Sequence, residues 1–212
     1  MNFSIIIPTF ENYKYLKLCL DSILKNSFYK HEIIIHLNGI DIKSKKLLLK
    51  KKIPFTESEK NIGLCSGVNL ASSKANNDYI LYAHDDMYFL PEWDLHLKNE
   101  IKNIGHRNFY LSLTQISHTG PVKGNIQHIQ FDCGHTYEDF NEKKLLTNFK
   151  DFNFEDLQGS HWAPHIVHKS IWNKIGGFSE EFDPGFASDP DLNMKLWSIG
   201  IRIFKSVSKS RV

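Results

Sequence analysis

A chain of 212 residues, 41% hydrophobic and 13% aromatic, can bury a full core and is read as one domain. Its 26 Lys and Arg against 24 Asp and Glu leave a formal charge of +2, too near neutrality to point to a nucleic-acid partner. No apolar run approaches bilayer-spanning length, and Met1 runs straight into an apolar strand rather than a leader. The three cysteines, Cys19, Cys65 and Cys133, form no CxxC pair and read as reduced thiols of a cytoplasmic protein.

Residues 3–8 (FSIIIP) are a continuous apolar run closed by Pro8 and Thr9, the pattern of a strand buried on both faces. Asn12 follows as a candidate cap. In YKYLKLCLDSILKN, Tyr15, Leu16, Cys19, Leu20, Ile23 and Leu24 recur at three- and four-residue spacing, which predicts a helix packed on the sheet. Residues 31–37 repeat the strand pattern and Asn38-Gly39 is a turn pair. The basic segment 43–52 (KSKKLLLKKK) is read as a solvated helix burying Leu47, Leu48 and Leu49, with peripheral contact to an anionic membrane face as its second reading. A short strand at 53–56, a loop at Asn61-Ile62-Gly63 and a small-residue helix over 64–75 come next. In DYILYAHDDMYFLPEW (78–93) a buried strand ends abruptly at His84, Asp85 and Asp86, and Pro91 opens another helix.

Strands alternating with helices over the first hundred residues require right-handed crossovers. The expected fold is therefore α/β, a Rossmann-like three-layer α/β/α sandwich with a mostly parallel central sheet. Neither GxGxxG nor GxxxxGK[ST] is present, so a nucleotide would bind by another route. Beyond Asn108 a strand is predicted at 109–113, irregular structure over 115–160 with a helix near 141–148, a strand at 163–168, a helical turn at 170–175, a helix at 192–199 and a last strand at 201–204. The chain divides into a half at 1–107 that would hold a nucleotide and a half at 108–212 that would hold a second substrate.

Two adjacent carboxylates at the carboxyl end of a strand lie where an open α/β sheet binds its ligand. Strand side chains alternate, so only one of Asp85 and Asp86, together with His84, should face that ligand. Such a group suits a hard divalent cation shared with substrate phosphates; the plainer reading is that the two acids cap a loop. Ser188 followed by Asp191 reads as a capping box with Pro190 in the first helical turn, which leaves Asp189 free at a helix mouth to accept a proton.

Taken in order, FSIIIPTFENYKYLKLCLDSIL, HEIIIHLNG, NIGLCSGVNLASSKANNDYILYAHDDM and GGFSEEFDPGF-x-SDPDL resemble the family 2 glycosyltransferases of the GT-A fold, over residues 3–101 and about 160–205. The resemblance implies inverting transfer of a sugar from a nucleotide-sugar donor to an acceptor hydroxyl, on a saccharide or lipid-linked glycan in surface polysaccharide assembly. It implies a DxD-type metal site at Asp86 with His84 in the first acidic position, and Asp189 as general base. It places Pro8, Thr9, Phe10, Asn38, Asn61 and Gly63, with Asp85 beside them, around the donor nucleotide, and Gly176, Gly177 and Phe178 near the acceptor, with Asp191 beyond them. Imidazole at position 84 favours Mn²⁺ over Mg²⁺. Leu37-Asn38 stands where many members carry an acidic pair, and no histidine follows His168 to complete the metal site.

Zinc held by His118, His128, Cys133, His135, His161 and His165 is disfavoured, since the paired spacings of structural sites are missing. Trp162 is the acceptor-side aromatic, whereas Trp172 and Trp197 are expected to pack helices on the sheet. A pyrophosphorylase would need a Gly-rich phosphate loop where this chain has PTFENYK. The remaining alternative is a catalytically degenerate nucleotide-sugar or carbohydrate binding module, motivated by His84 and Leu37 and opposed by the presence of both Asp86 and Asp189. The sequence assigns no oligomeric state.

Overall fold

The computed structural model describes residues 1–119, 128–159 and 162–212. In the first half β1 (Phe3–Thr9), β2 (Glu32–Asn38), β3 (Phe55–Ser58) and β4 (Tyr79–Tyr82) alternate with α1 (Tyr13–Asn26), α2 (Ile42–Lys51), α3 (Leu64–Ser72) and α4 (Trp93–Ile104). The second half adds β5 (Tyr110–Ser117), β6 (His128–Gln130), α5 (Glu142–Asn148), β7 (Leu157–Gln158), β8 (His165–His168), α6 (Lys169–Ile175), α7 (Ser188–Ser198) and β9 (Phe204–Arg211). The sheet runs β3-β2-β1-β4-β8-β5-β9-β7, with β6 beside β5. Pairing is parallel throughout the first half, whereas β8 lies antiparallel between β4 and β5.

Alternation along β1 builds the three layers. Ile5 and Ile7 join Leu16 and Leu20 of α1 and Trp93 and Leu97 of α4 on one face. Ile6 joins Val68 of α3, Trp172 of α6 and Leu192 of α7 on the other. Each fully buried side chain of this size contributes about 1.5–3 kcal/mol. Where α1 leads into β2, Asp94 of α4 is fully buried and accepts hydrogen bonds from Phe28 N (2.9 Å), Tyr29 N (2.8 Å) and His31 Nε2 (2.9 Å).

Several local expectations are corrected. Leu24 and Leu49 are 56% and 61% exposed, because residues turn about 100° each along a helix and runs of adjacent apolar side chains cannot all face inward. The third strand starts at Phe55, two residues late, after Lys52 closes α2 in the left-handed region. The helix expected from Pro91 begins at Trp93 behind Glu92 at φ 68°. The last strand occupies Phe204–Arg211 rather than 201–204. Trp197 is 50% exposed with the Arg202 guanidinium 3.9 Å above its ring, so it covers little of the sheet. Among the described residues no helix is long and apolar enough to cross a membrane.

Candidate active site

The site is built over the carboxyl ends of β1, β2 and β4. Asn12 does not cap α1 with its side chain; it reaches instead to the end of β4. There Asn12 Nδ2 donates to Asp85 Oδ1 at 3.1 Å and Thr9 Oγ1 donates to Asp85 Oδ2 at 2.5 Å. Both carboxylate oxygens of Asp85 are thereby engaged by the β1–α1 loop. Burial pushes this carboxyl up to about 6; the two hydrogen bonds oppose the shift and the neighbouring Asp86 charge adds to it. With Asp85 turned under the loop, His84 and Asp86 both line a cleft of about 600 Å³, whose far wall carries Gln115, His118, His135 and Tyr137. The His118 and His135 rings lie 4.1 Å apart there.

Next to this cleft, Pro8 lies within β1 opposite His36. Phe10 is 50% exposed and covers Gly39, where a Cβ would lie 3.4 Å from its ring. Asn38, only 6% exposed, uses both ends of its amide: Nδ2 donates to Gly63 O at 2.9 Å and Oδ1 accepts from Ile62 N at 2.7 Å. Asn61 closes the same loop by accepting from Gly63 N at 2.9 Å. The Asn61-Ile62-Gly63 loop is thus held against the end of β2.

Asp189 stands in the first turn of α7, outside the lining of that cleft, its Oδ1 4.0 Å from His165 Nδ1. His165 is fully buried against the rings of Tyr82 (5.2 Å), Tyr110 (4.7 Å) and Phe178 (6.0 Å). Burial, with His84 nearby, lowers its pKa to about 3, so the ring is neutral and this contact is not an ion pair at pH 7. The predicted capping box is absent. Ala187, at φ 64°, occupies the cap position; Ser188 Oγ donates back to Gly185 O at 2.7 Å, and Asp191 accepts from Ser179 Oγ at 2.6 Å. With alanine at the cap position, α7 starts from this backbone turn instead of a side-chain cap.

Of the acceptor-side residues, Asp191 and Lys195 fasten the loop after α6, Lys195 Nζ reaching Gly177 O at 2.7 Å. Gly176 closes α6 at φ 75°, and at Gly177 (φ 67°) a Cβ would lie 2.3 Å from Asn69 Oδ1. Phe178 is 1% exposed and packs on Trp172 and Tyr82, and Trp162 is 9% exposed with Nε1 donating to Leu113 O at 3.1 Å. Phe178 is therefore core packing beneath the loop, and Trp162 is buried against β5. His161, beside Trp162, lies outside the described residues.

Among the described residues no group of three or more His, Cys, Asp and Glu could hold a metal ion alone. His84 and Asp86 still suit a cation shared with a diphosphate. Asp86 is exposed to the cleft, and burial lowers the His84 pKa against the opposing Asp86 charge, keeping the imidazole in its ligating neutral form.

Sequence reasoning missed Asp183. Its carboxylate accepts from Cys65 N (2.7 Å), Ser66 N (3.3 Å) and Ser66 Oγ (2.5 Å) at the start of α3. The available signal was Gly63, a helix cap with no side chain, which leaves the first N–H groups of α3 in need of an acceptor from elsewhere.

A ligand crevice over the carboxyl ends of parallel strands, in a sheet whose second half is mixed, defines the GT-A architecture. The fold superposes on S. aureus TarS 1-349 with a TM-score of 0.69 at 19% identity, covering 99% of this chain and 58% of that one. The same TarS fragment in complex with UDP gives 0.69 at 19% identity, over 100% and 61% of the two chains. In sequence, the chain is 24% identical to the chondroitin synthase of Pasteurella multocida (strain Pm70) over 97% of its own length and 20% of that protein. It is likewise 24% identical to the hyaluronan synthase of Pasteurella multocida, over 97% and 19%. The chain thus spans about a fifth of the length of these curated relatives. Residues 4–170 match the model of glycosyl transferase family 2, and the chain belongs to that family.

Proposed function

We propose that this chain transfers a sugar from a nucleoside-diphosphate sugar to an acceptor hydroxyl with inversion at the anomeric carbon. The observation that supports this best is geometric. Asp86 lines the cleft just beyond β4, and Asp189 Oδ1 lies 4.0 Å from Nδ1 of His165, the β8 residue paired with Tyr82 at the end of β4. The carboxylate proposed for the donor phosphates and the carboxylate proposed as base thus both lie at the carboxyl end of one strand.

In this reading the half at 1–107 holds the donor. Phe10, Asn61 and Gly63 flank the nucleotide, the backbone at Pro8 and Thr9 passes beneath it, and Asn38 and Asp85 fix the loops that do so. His84 and Asp86 would hold a divalent cation, Mn²⁺ or Mg²⁺, which would offset negative charge on the departing diphosphate. The half at 108–212 holds the acceptor. Asp189 takes the hydroxyl proton as that oxygen attacks the anomeric carbon, and the bond to the diphosphate oxygen breaks with its electron pair leaving on the nucleotide. Gly176 and Gly177 turn the acceptor loop, Phe178 anchors it on Trp172, Asp191 fastens it through Ser179, and Trp162 is buried against β5. UDP-sugars are the first donors to test, because TarS was solved with UDP and with UDP-GlcNAc. The names of the relatives favour a growing saccharide chain as acceptor, free or lipid-linked.

Melting temperature is measured against UDP-, GDP-, dTDP- and CMP-sugars with Mn²⁺, Mg²⁺ or EDTA, followed by transfer assays on the wild type and Asp189→Asn. A ligand that binds the folded state raises the melting temperature by mass action. Asp189→Asn should lose about 10²- to 10⁴-fold in rate while keeping donor affinity. Donor binding without transfer in either protein would make the chain a binding module, whereas equal measurable transfer by both would remove Asp189 as the base.

A further inference from the structure

Helix α3 has no cap of its own. Its cap position is Gly63, in the left-handed region at φ 95°, and the first N–H groups of the helix point away from any local acceptor. A segment almost 120 residues downstream supplies all that they need. Leu64 N donates to Pro184 O at 3.2 Å, and Cys65 N and Ser66 N donate to the Asp183 carboxylate. The Ser66 hydroxyl donates to the same carboxylate. The fit leaves no slack: a Cβ on Gly63 would lie 2.1 Å from Asp183 Cγ, and one on Gly185 would lie 3.0 Å from Leu64 Cβ.

Both ends of this junction lead to functional loops. On one side, Gly63 O and Ile62 N are the groups that Asn38 holds, so the junction continues into the loop proposed for the nucleotide. On the other, Gly185 O receives the Ser188 N–H (3.3 Å) and Ser188 hydroxyl (2.7 Å), and Asp189 is the next residue. The path from nucleotide loop to proposed base is therefore one hydrogen-bonded unit with Asp183 at its centre. A carboxylate at a helix N-terminus also gains from the helix dipole, which makes it the strongest acceptor for this joint.

We infer that Asp183 is a positioning residue that couples the donor loop at residues 61–63 to the loop bearing Asp189. The inference rests on the glycosyltransferase reading given above. Asp183 touches neither the proposed base nor the nucleotide loop's outer face; it acts by fixing the spacing between them. Displacing a reacting group by about 1 Å can cost about 10²-fold in rate, so weakening this joint should affect turnover as well as donor binding.

The test compares wild type with Asp183→Asn, which keeps the shape and one acceptor oxygen, and Asp183→Ala, in steady-state transfer assays well below each protein's melting temperature. The expected result is a donor KM raised about fivefold and a kcat lowered about 10- to 100-fold for Asp183→Ala, with Asp183→Asn between the two. A residue that only capped α3 would lower the melting temperature and leave both constants unchanged. If the variants melt earlier yet match wild-type kcat and donor KM within twofold, the coupling role is overturned while the transferase reading stands. If wild type turns over no nucleotide sugar with any acceptor tried, both fall together.

Discussion

Asp94 offers the sharpest quantitative test of the packing. It is fully buried and accepts four hydrogen bonds, from Phe28 N, Tyr29 N and His31 Nε2 within 2.9 Å and from Leu95 N at 3.0 Å. Phe3 N donates to His31 Nδ1 at 3.1 Å, so that nitrogen is an acceptor and the proton sits on Nε2, facing Asp94. The pair is thus a neutral imidazole on a carboxylate. Asp94→Ala strands the Phe28, Tyr29 and His31 donors around a side-chain site that is itself fully buried. Each unsatisfied group costs about 1–3 kcal/mol, and with partial relaxation the total should be about 3–5 kcal/mol. For a domain of this size that corresponds to a fall in melting temperature of roughly 6–20 °C. Burial would raise the Asp94 pKa, but the bonds from His31, Phe28 and Tyr29 outweigh it and hold the carboxyl below its ordinary value. A depressed acid stabilises fully above the unfolded-state pKa of about 3.9 and loses that contribution as pH falls through its lower folded-state value. The gap between wild type and Asp94→Ala should therefore be constant from pH 7 down to about 4 and close below it. Thermal melts followed by circular dichroism at several pH values measure this; a variant melting within about 2 °C of wild type at pH 7 would refute the reasoning.

Three further outcomes follow from the geometry. Gly177→Ala should destabilise by about 1–3 kcal/mol, because it places a Cβ against Asn69 and Trp172 at a positive φ, and urea titration will read the cost. Leu48→Ala in α2 should cost about 2–4 kcal/mol while Leu49→Ala stays within about 0.5 kcal/mol, since Leu48 is fully buried and Leu49 is 61% exposed; equal costs would contradict the helix phase. Asp86→Asn should abolish any increment that Mn²⁺ adds to the thermal shift caused by a nucleoside diphosphate, leaving the metal-free shift in place, whereas an undiminished increment would move the cation elsewhere.

The parts of the fold that were legible in the sequence are those whose burial is apolar. β1, β2 and β4 carry the apolar runs at residues 5–7, 33–35 and 79–82, whereas Asp85 and Asp86 lie past the last strand residue, in a turn, so the different directions they face are set by that turn and not by strand alternation. β9 was cut short because its inward positions are hydroxyls. Ser206 pairs with Thr114 at 2.9 Å, Ser210 Oγ donates to Trp93 O at 2.8 Å, and Ser208 is 8% exposed. Arg211, 6% exposed, ends the strand by donating to the carbonyls of Phe149, Phe152 and Ser208. A strand whose buried polar atoms are satisfied by distant partners looks like a solvated tail in one dimension. The capping box at Ser188 failed for a related reason: the local pattern was present, but a hydroxyl bond to Gly185 O and a distant partner for Asp191 took its members away.

The same lesson bears on what Asn38 contributes. Residue type and position suggest a direct nucleotide contact, yet both ends of its amide are spent on Ile62 and Gly63. Asn38→Asp separates the two roles. The change keeps size and the acceptor toward Ile62 N, but replaces the Nδ2 donor with an oxygen facing Gly63 O, so one favourable bond becomes a repulsion at a site only 6% exposed. Losing a buried donor in this way should cost about 1–3 kcal/mol. If Asn38 works only by holding the loop, Asn38→Asp and Asn38→Ala should weaken nucleoside-diphosphate binding to a similar degree, about tenfold for each 1.4 kcal/mol carried into the bound state. A direct contact to the base predicts instead that the two variants separate, with aspartate restoring or exceeding wild-type affinity for one base alone. Calorimetric titration of both variants with UDP and GDP distinguishes the two, and a base-selective gain for Asn38→Asp would overturn the loop-holding role.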